Sequence, residues 1–497
     1  MSLRYASVSM SGHKLLRWRA SRALVVALCL LIVVPRIADA HTELKASTPR
    51  AGAHLAAVPR EIRLEFSEVP ELAFSSVQLL DPMGAPVRLS AAVYAADSKR
   101  AVISIVETAL TAGDYTVVWQ VAGDDGHPVR GRFQFTIAPG AAGIGMAPVA
   151  GQEAGTGIAE PHHNPVTIPL GSGFDAESPA YVVIRWLGFA AILGIIGAAV
   201  FRQVVLRFIR YEEAAGNAAG SQPGFIGDAA VRAAVIGVRA CAVLAIALFA
   251  RLVAQSIALH GWPGIVDASL LGTMLMKTVW GWGWLLQLLA VVVAYSGFRS
   301  TGRESMAASR TTTGWAMATA GALLLAFTPA LGGHAAAAPR WQLLTILADG
   351  LHVLGAGGWL GSLLLVVSAG IPAAFAQPGE KPGPAVADLV NAFSPTALMF
   401  AGVVASTGVF AAWLHVGSIL ALWQTTYGKI LLAKLAVLSV VAATGAYNWL
   451  RVKPSLGQIE GAVRIRNSAR VELMVGVIVL LITAVLVATP TAMDMAM

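Results

Sequence analysis

Cysteine and charge are both scarce in this chain, and each scarcity excludes a class of protein. Only two cysteines occur among the 497 residues, Cys29 and Cys241, and both lie inside apolar runs. A disulfide framework or a thiolate metal site in an extramembrane domain is therefore excluded. Charged residues make up 12% of the chain and hydrophobic residues 56%. This composition is too apolar for a soluble protein and is typical of a polytopic membrane protein.

The excess of basic residues does not indicate a nucleic-acid partner. Lys and Arg number 35 against 27 Asp and Glu, which gives a formal net charge of +8. The basic side chains sit mainly near the N-terminus and in short loops between apolar runs. That distribution reports membrane orientation, because loops that stay inside carry most of the Lys and Arg.

Residues 1–40 have the pattern of a cleaved secretory signal. Several arginines precede an apolar run from Ala23 to Val34, and Ala38 and Ala40 complete a small-x-small cleavage pattern. A permanent membrane anchor is the alternative, but the run falls well short of the ~20 residues that a spanning helix needs. The pattern predicts a mature chain that begins with His41.

Residues 41–138 predict an all-β sandwich, an immunoglobulin-like or cupredoxin-like Greek key. Short runs alternate polar and apolar residues and are separated by Gly, Pro and Asp, which is typical of antiparallel strands. Residues 139–178 are rich in Gly, Ala and Pro and predict a flexible tether. The predicted strands are EIRLEFSEV, SSVQLLDPMG, AVISIVETAL, DYTVVWQVAG and GRFQFTIAPG.

Metal-ligating residue types occur at two places in this domain. Asp125 and His127 of DDGHPVRG are two residues apart, so in an extended backbone they point the same way. An N-terminal His41 adds two nitrogens, its ring Nδ1 and its α-amine, and an α-amine with an ordinary pKa of about 7.7–8.0 loses its proton readily. Three nitrogens and one oxygen match the preference of Cu(II).

The segments HTELKASTPRAG, LEFSEVPE and LTAGDYTVVWQVAGDDGHPVRGRFQF resemble the periplasmic copper-binding CopC family. The resemblance implies Cu(II) held by His41, Asp125 and His127, with Glu68 close to the metal rather than bound to it. Some relatives carry a methionine-rich loop for Cu(I), but Met83 is the only methionine in residues 41–140, so that site is not expected.

Residues 179–490 predict a membrane domain of about eight helices. Export of the sandwich directs the first helix inward and leaves both chain termini outside. The charges agree, because the loops on the predicted inner side contain most of the Arg and Lys. The apolar runs lie near 180–206, 230–257, 279–297, 313–333, 341–369, 395–415, 428–449 and 470–489.

Asp349 and His352 are polar residues deep inside the fifth predicted helix. Their spacing of three places them on one helix face. An ionised Asp there costs about 2.5–3.5 kcal/mol, so such residues usually face an interior path. A purely structural bond between helices is the alternative. His334 and His415 end the fourth and sixth helices at the outer face, and the glycines that follow His352 predict close helix approach.

ADGLHVLGAGGWLGSLLLV, ALGGHAAA, STGVFAAWLHVG and TTYGKILLAKLAVLSVVAATGAYNWLRVKP together resemble the CopD copper-resistance membrane family. The resemblance implies copper movement across the inner membrane, generally inward, but it does not assign the path. Asp349, His352, His334 and His415 are therefore path candidates by position. In the tail, residues 491–497, the thioethers of Met493, Met495 and Met497 suit Cu(I).

The sequence thus predicts a bacterial inner-membrane protein that binds copper in the periplasm and transports it, in the import direction, for copper homeostasis. It predicts no enzyme activity, and the partners expected are copper ions, the lipid bilayer and other periplasmic copper proteins, not nucleic acid. Sequestration or sensing without transport is the first alternative. A copper-dependent oxidative enzyme and a membrane haem protein are weaker ones.

Overall fold

The computed structural model describes two structural regions, a β-rich region before Ala142 and a helical region from Pro179 onward. The described residues are 43–67, 69–72, 75–122, 128–142, 178–214, 223–260, 267–301, 308–331, 342–377, 382–448, 450 and 459–489.

The β-rich region forms two sheets. One has the order β1-β3-β7-β6 and the other β2-β9-β8-β4-β5. All pairs are antiparallel except β2 with β9, which is parallel. The strands are β1 (Leu44–Thr48), β2 (His54–Ala57), β3 (Glu61–Phe66), β4 (Ser76–Leu80), β5 (Pro86–Val87), β6 (Val93–Tyr94), β7 (Ala101–Ile105), β8 (Gly113–Ala122) and β9 (Pro128–Ala142).

Period-two alternation builds the core of this sandwich. Ile62, Leu64 and Phe66 of β3 are at most 2% exposed, whereas the residues between them face outward. They pack in one cluster with apolar side chains of β8 and β9, and full burial of such a side chain stabilises the fold by about 1.5–3 kcal/mol. The predicted all-β sandwich is confirmed. Strand β9 continues to Ala142, four residues into the predicted tether.

Within the described helical residues, three five-residue π-helical segments interrupt otherwise continuous helices. These segments are Phe201–Val205, Gly357–Gly361 and Val366–Gly370. The α-helices are α1 (Pro179–Val200), α2 (Leu206–Ala214), α3 (Pro223–His260), α4 (Ala268–Lys277), α5 (Val279–Thr301), α6 (Ala308–Leu331), α7 (Gln342–Ala356), α8 (Ser362–Leu365), α9 (Ile371–Phe375), α10 (Pro382–Val416), α11 (Ala421–Gln424), α12 (Thr426–Tyr447) and α13 (Ile459–Leu486).

Eight helical stretches in the described residues are long and apolar enough to cross a membrane, as predicted. The sixth begins at Pro382 rather than near 395, because Pro395 lies inside the helix instead of starting it. Spans 1 to 8 are Pro179–Arg210, Gly224–Ile257, Trp280–Thr301, Thr311–Leu331, Leu343–Phe375, Pro382–Val416, Thr426–Tyr447 and Glu460–Leu486.

Glycines let span 5 pack directly against its neighbours, as the sequence predicts. A Cβ on Gly361 would lie 2.1 Å from the carbonyl oxygen of Leu193, and one on Gly197 would lie 2.2 Å from the carbonyl carbon of Gly361. Spans 1 and 5 therefore approach backbone to backbone, the arrangement that small residues permit in membranes. A Cβ on Gly358 would likewise collide with the ring of Phe400 in span 6.

Candidate functional site

The strand ends that flank the predicted copper ligands of the sandwich are described, although the ligands are not. His41, Glu68, Asp125 and His127 all lie outside the described residues. In sequence, His41 precedes β1 by three residues and Glu68 follows β3 by two. Asp125 and His127 lie between the end of β8 at Ala122 and the start of β9 at Pro128.

Hydrogen bonds join the start of β1 to the end of β3. The backbone N–H of Glu43 donates to Oγ of Ser67 at 2.8 Å, and the N–H of Ser67 donates to the carbonyl of Glu43 at 2.8 Å. Leu44 pairs with Phe66 in the antiparallel register. The chain just after His41 is thus bonded to the chain just before Glu68.

An aromatic contact brings β8 to the same end of the sandwich. The rings of Phe66, at the end of β3, and Trp119, near the end of β8, lie 5.4 Å apart in an edge-to-face arrangement. Both side chains are at most 7% exposed. The strand ends that lead to Glu68 and to Asp125 and His127 therefore lie together.

Trp119 is held in place by a glycine on the neighbouring strand. Gly131 of β9 pairs with Trp119, and a Cβ at Gly131 would lie 2.3 Å from Cζ2 of the indole. Beside them, Nε of Arg130 donates to Oε1 of Gln120 at 2.8 Å. The β8–β9 pairing is thus fixed up to the residues that connect the two strands.

A Gly131→Ala substitution is expected to loosen this end of the sandwich. The new methyl group must displace the buried indole, and overpacking of this kind costs about 1–3 kcal/mol. Amide exchange across β8 and β9, measured by mass spectrometry on the full chain, should accelerate roughly ten- to hundredfold. Gln134→Ala, at an exposed position of the same strand, is the matched control, and equal exchange in the two variants would contradict the prediction.

A second polar group lies inside the helical region, on span 5. Asp349 and His352 are half-buried and one turn apart on helix α7, as predicted. Nδ1 of His352 lies 2.9 Å from Oγ1 of Thr407 in span 6, within hydrogen-bond distance. His352 therefore makes an interhelical contact, while Asp349 faces a different neighbour.

That neighbour is Lys434 of span 7, which the sequence analysis missed. The charge of Lys434 interacts with both Asp349 and His352. Asp349 and Lys434 nevertheless stand farther apart than the 4 Å of a direct ion pair, since the ion pairs within the described residues join other groups. Spans 5, 6 and 7 thus surround one carboxylate, one imidazole and one ammonium group.

A further buried carboxylate lies between spans 7 and 8. Glu472 is 7% exposed, and Nδ2 of Asn448 donates to its Oε1 at 3.3 Å. Oδ1 of Asn448 is buried without a hydrogen-bond partner. Asn448 follows Lys434 by fourteen residues, or about 21 Å along the helix, so this pair and the Asp349 group occupy different depths.

The other predicted path residues do not join either group. The ring of His415 lies 6.4 Å from that of Tyr427, at the end of span 6. His334, Met493, Met495 and Met497 lie outside the described residues. Within the described part of the chain, no three His, Cys, Asp or Glu side chains cluster as metal ligands.

Comparison with known proteins finds family matches in three parts of the chain. Residues 44–138 match the CopC domain, residues 175–341 the N-terminal domain of copper resistance protein D-like proteins, and residues 387–486 copper resistance protein D. The copper transport protein CutJ of Bacillus subtilis is 23% identical over 95% of this chain and 78% of its own length. Copper resistance protein C of Escherichia coli is 34% identical over 22% of this chain and 90% of its own length. The crystal structure of CopC from Methylosinus trichosporium OB3b is 35% identical and covers 20% of this chain and 95% of its own, with a TM-score of 0.19.

A β-sandwich followed by eight apolar helices defines a multi-pass membrane protein with an extramembrane domain. The family matches indicate which ligand this class of protein handles. The chain belongs to the CopC and CopD copper-resistance families, joined in one polypeptide. The family matches therefore support copper as the metal that this chain handles.

Proposed function

We propose that this protein captures Cu(II) outside the inner membrane and passes copper inward through its helical bundle. The observation that carries the proposal is the Asp349, His352 and Lys434 group inside a CopD-type bundle, on the same chain as a CopC domain. A carboxylate and an imidazole at membrane depth are costly and usually line an ion path.

The capture site uses His41, Asp125 and His127 as ligands, with Glu68 close by. The described strand ends support it, because the Glu43–Ser67 bonds and the Phe66–Trp119 contact gather the flanking segments at one end of the sandwich. Ring nitrogens, an amine and a carboxylate oxygen suit Cu(II). Signal cleavage after Ala40 would create the amine ligand.

Inside the bundle, Lys434 serves as the resting counter-charge of Asp349. Its ammonium group lowers the cost of an anionic Asp349 in the membrane without forming a direct bond to it. The carboxylate then remains available to an arriving copper ion, and His352 offers an imidazole nitrogen one turn away. Glu472 and Asn448 form a second polar pair at a different depth of the bundle.

In the proposed orientation, the sandwich and the C-terminus lie in the periplasm. The signal-like N-terminus and the basic residues of alternate loops support this orientation. His334, His415 and the tail methionines Met493, Met495 and Met497 then stand on the outer side, where they would receive copper. Thioether ligands favour Cu(I), so the tail methionines would hold copper that arrives in that oxidation state.

Accumulation of radiolabelled copper tests transport directly. Cells or oriented vesicles that contain the full chain should accumulate copper inside, above the level of matched membranes without it. Sequestration or sensing predicts copper bound to the protein with no accumulation within the vesicle. Export predicts lower cell copper content at matched external copper, and an oxidative enzyme predicts turnover of a substrate by the copper-loaded chain; either result would contradict the proposal.

A further inference from the structure

A cleft of about 320 Å³ lies between the end of span 5 and the start of span 8. One wall of the cleft is apolar and the other is basic. It is lined by the apolar side chains of Val367, Ile371, Pro372 and Phe375 and by Arg466 and Arg470.

One of the two arginines, Arg466, has a donor that the described protein groups do not satisfy. Nε of Arg466 is buried without a hydrogen-bond partner, and the guanidinium stands 5.6 Å from the centre of the Phe375 ring. None of the ion pairs within the described residues includes Arg466 or Arg470. A buried donor without a partner is unfavourable, so an anionic acceptor in the cleft would be stabilising.

The chemistry of the walls identifies the anion. A guanidinium presents its donors as a planar fork that fits phosphate oxygens. The apolar wall beside it continues the surface of span 5, and Phe375 at the end of that span is 38% exposed. A free phosphate ion would leave this wall without a partner, whereas an acyl chain would cover it. Basic pockets between transmembrane helices are typical sites for anionic lipid headgroups.

We propose that this cleft binds an anionic phospholipid, with its phosphate on Arg466 and Arg470 and an acyl chain along Val367 and Ile371. None of the residues that line the cleft belongs to the proposed copper path. The bound lipid would connect span 8 to the end of span 5. Asp349 and His352 lie near the start of that same span.

Thermal unfolding of the purified full chain in detergent tests the site. Phosphatidylglycerol should raise the melting temperature, whereas phosphatidylcholine and inorganic phosphate should not. In Arg466→Gln/Arg470→Gln, about twenty-five-fold more phosphatidylglycerol should be needed for half of the shift, since each arginine near a lipid surface contributes roughly fivefold. The matched control is Arg464→Gln, which removes the same charge from an exposed position of the same helix and should behave as wild type.

Three results would overturn the proposal. A full shift with inorganic phosphate would assign the cleft to a free anion, and an equal shift with phosphatidylcholine would remove the headgroup specificity. An equal loss in Arg464→Gln would indicate diffuse surface charge. If the double variant does not fold, the single Arg470→Gln variant and native mass spectrometry of the wild type decide, because a wild-type protein that retains no phosphatidylglycerol contradicts the site.

Discussion

An Asp349→Asn variant is expected to lose copper accumulation while it still inserts and folds. Asparagine keeps the shape of the side chain and most of its hydrogen-bonding capacity, but it lacks the anionic oxygen that would attract a copper ion. A purely structural role predicts the opposite result: uptake would be retained and only thermal stability would fall, because asparagine leaves the Lys434 charge without its counter-charge. Uptake of radiolabelled copper and thermal stability are measured on the same preparation.

The matched control is Asp228→Asn at the start of span 2. Asp228 accepts a hydrogen bond from Nε2 of Gln377 at 3.0 Å and lies away from Asp349 and Lys434, so this variant should retain uptake. Normal accumulation in Asp349→Asn, and separately in His352→Ala, would remove both residues from the path. The search would then turn to His334, His415 and the methionine tail.

Variants of Lys434 distinguish a role of the Asp349 charge in copper uptake from a role in stability alone. Removal of one partner from a coupled interior charge pair leaves the other uncompensated and is destabilising, whereas removal of both is not. Asp349→Asn/Lys434→Met should therefore be more stable than Lys434→Met alone, yet it should still fail to accumulate copper. Uptake in the double variant would show that the carboxylate is not needed.

The sequence predicted the eight spans well because the bilayer restricts what can cross it. A spanning segment must satisfy its backbone hydrogen bonds internally and be apolar for about 20 residues, so composition alone reveals it. The start of span 6 was placed too late. Pro395 resembles a helix start, but inside a membrane helix a proline is tolerated where neighbouring groups satisfy the freed backbone.

The partner of Asp349 could not be predicted in the same way. Lys429 and Lys434 are the two charged residues of span 7, and a charge inside an apolar run was a signal by itself, since charges in spans are usually functional. The proximity of Lys434 to Asp349 depends on how spans 5 and 7 pack, which no local periodicity encodes. Asn448 and Glu472 were missed for the same reason.

In the sandwich, alternation revealed the long strands but not the short ones. Strand β3 buries every second residue and was predicted, whereas β2 has four residues, of which three are exposed. Strands β5 and β6 have two residues each, too few for any period. The gathering of strand ends near Trp119 depends on Gly131, whose role appears only when the paired strand is known.

A full chain that retains one residue before His41 is expected to bind Cu(II) at least about a hundredfold more weakly than the chain that begins with His41. The extra residue converts the α-amine into an amide, which removes one nitrogen ligand and breaks the chelate ring with Nδ1. Loss of an outer-shell partner alone typically weakens metal binding by about 10–100-fold, so loss of a direct ligand should exceed that. Competitive titration with a Cu(II) chelator measures the difference.

Electron paramagnetic resonance separates the amine from the other ligands. The form that begins with His41 should show hyperfine coupling to three nitrogens, and the extended form should lose one of them. Asp125→Asn is the matched control, because it removes an oxygen ligand and should weaken binding while it leaves the nitrogen pattern unchanged. Equal affinity in the extended and mature forms would exclude the amine as a ligand, and copper capture would then depend on His127 and Asp125 without a chelating N-terminus.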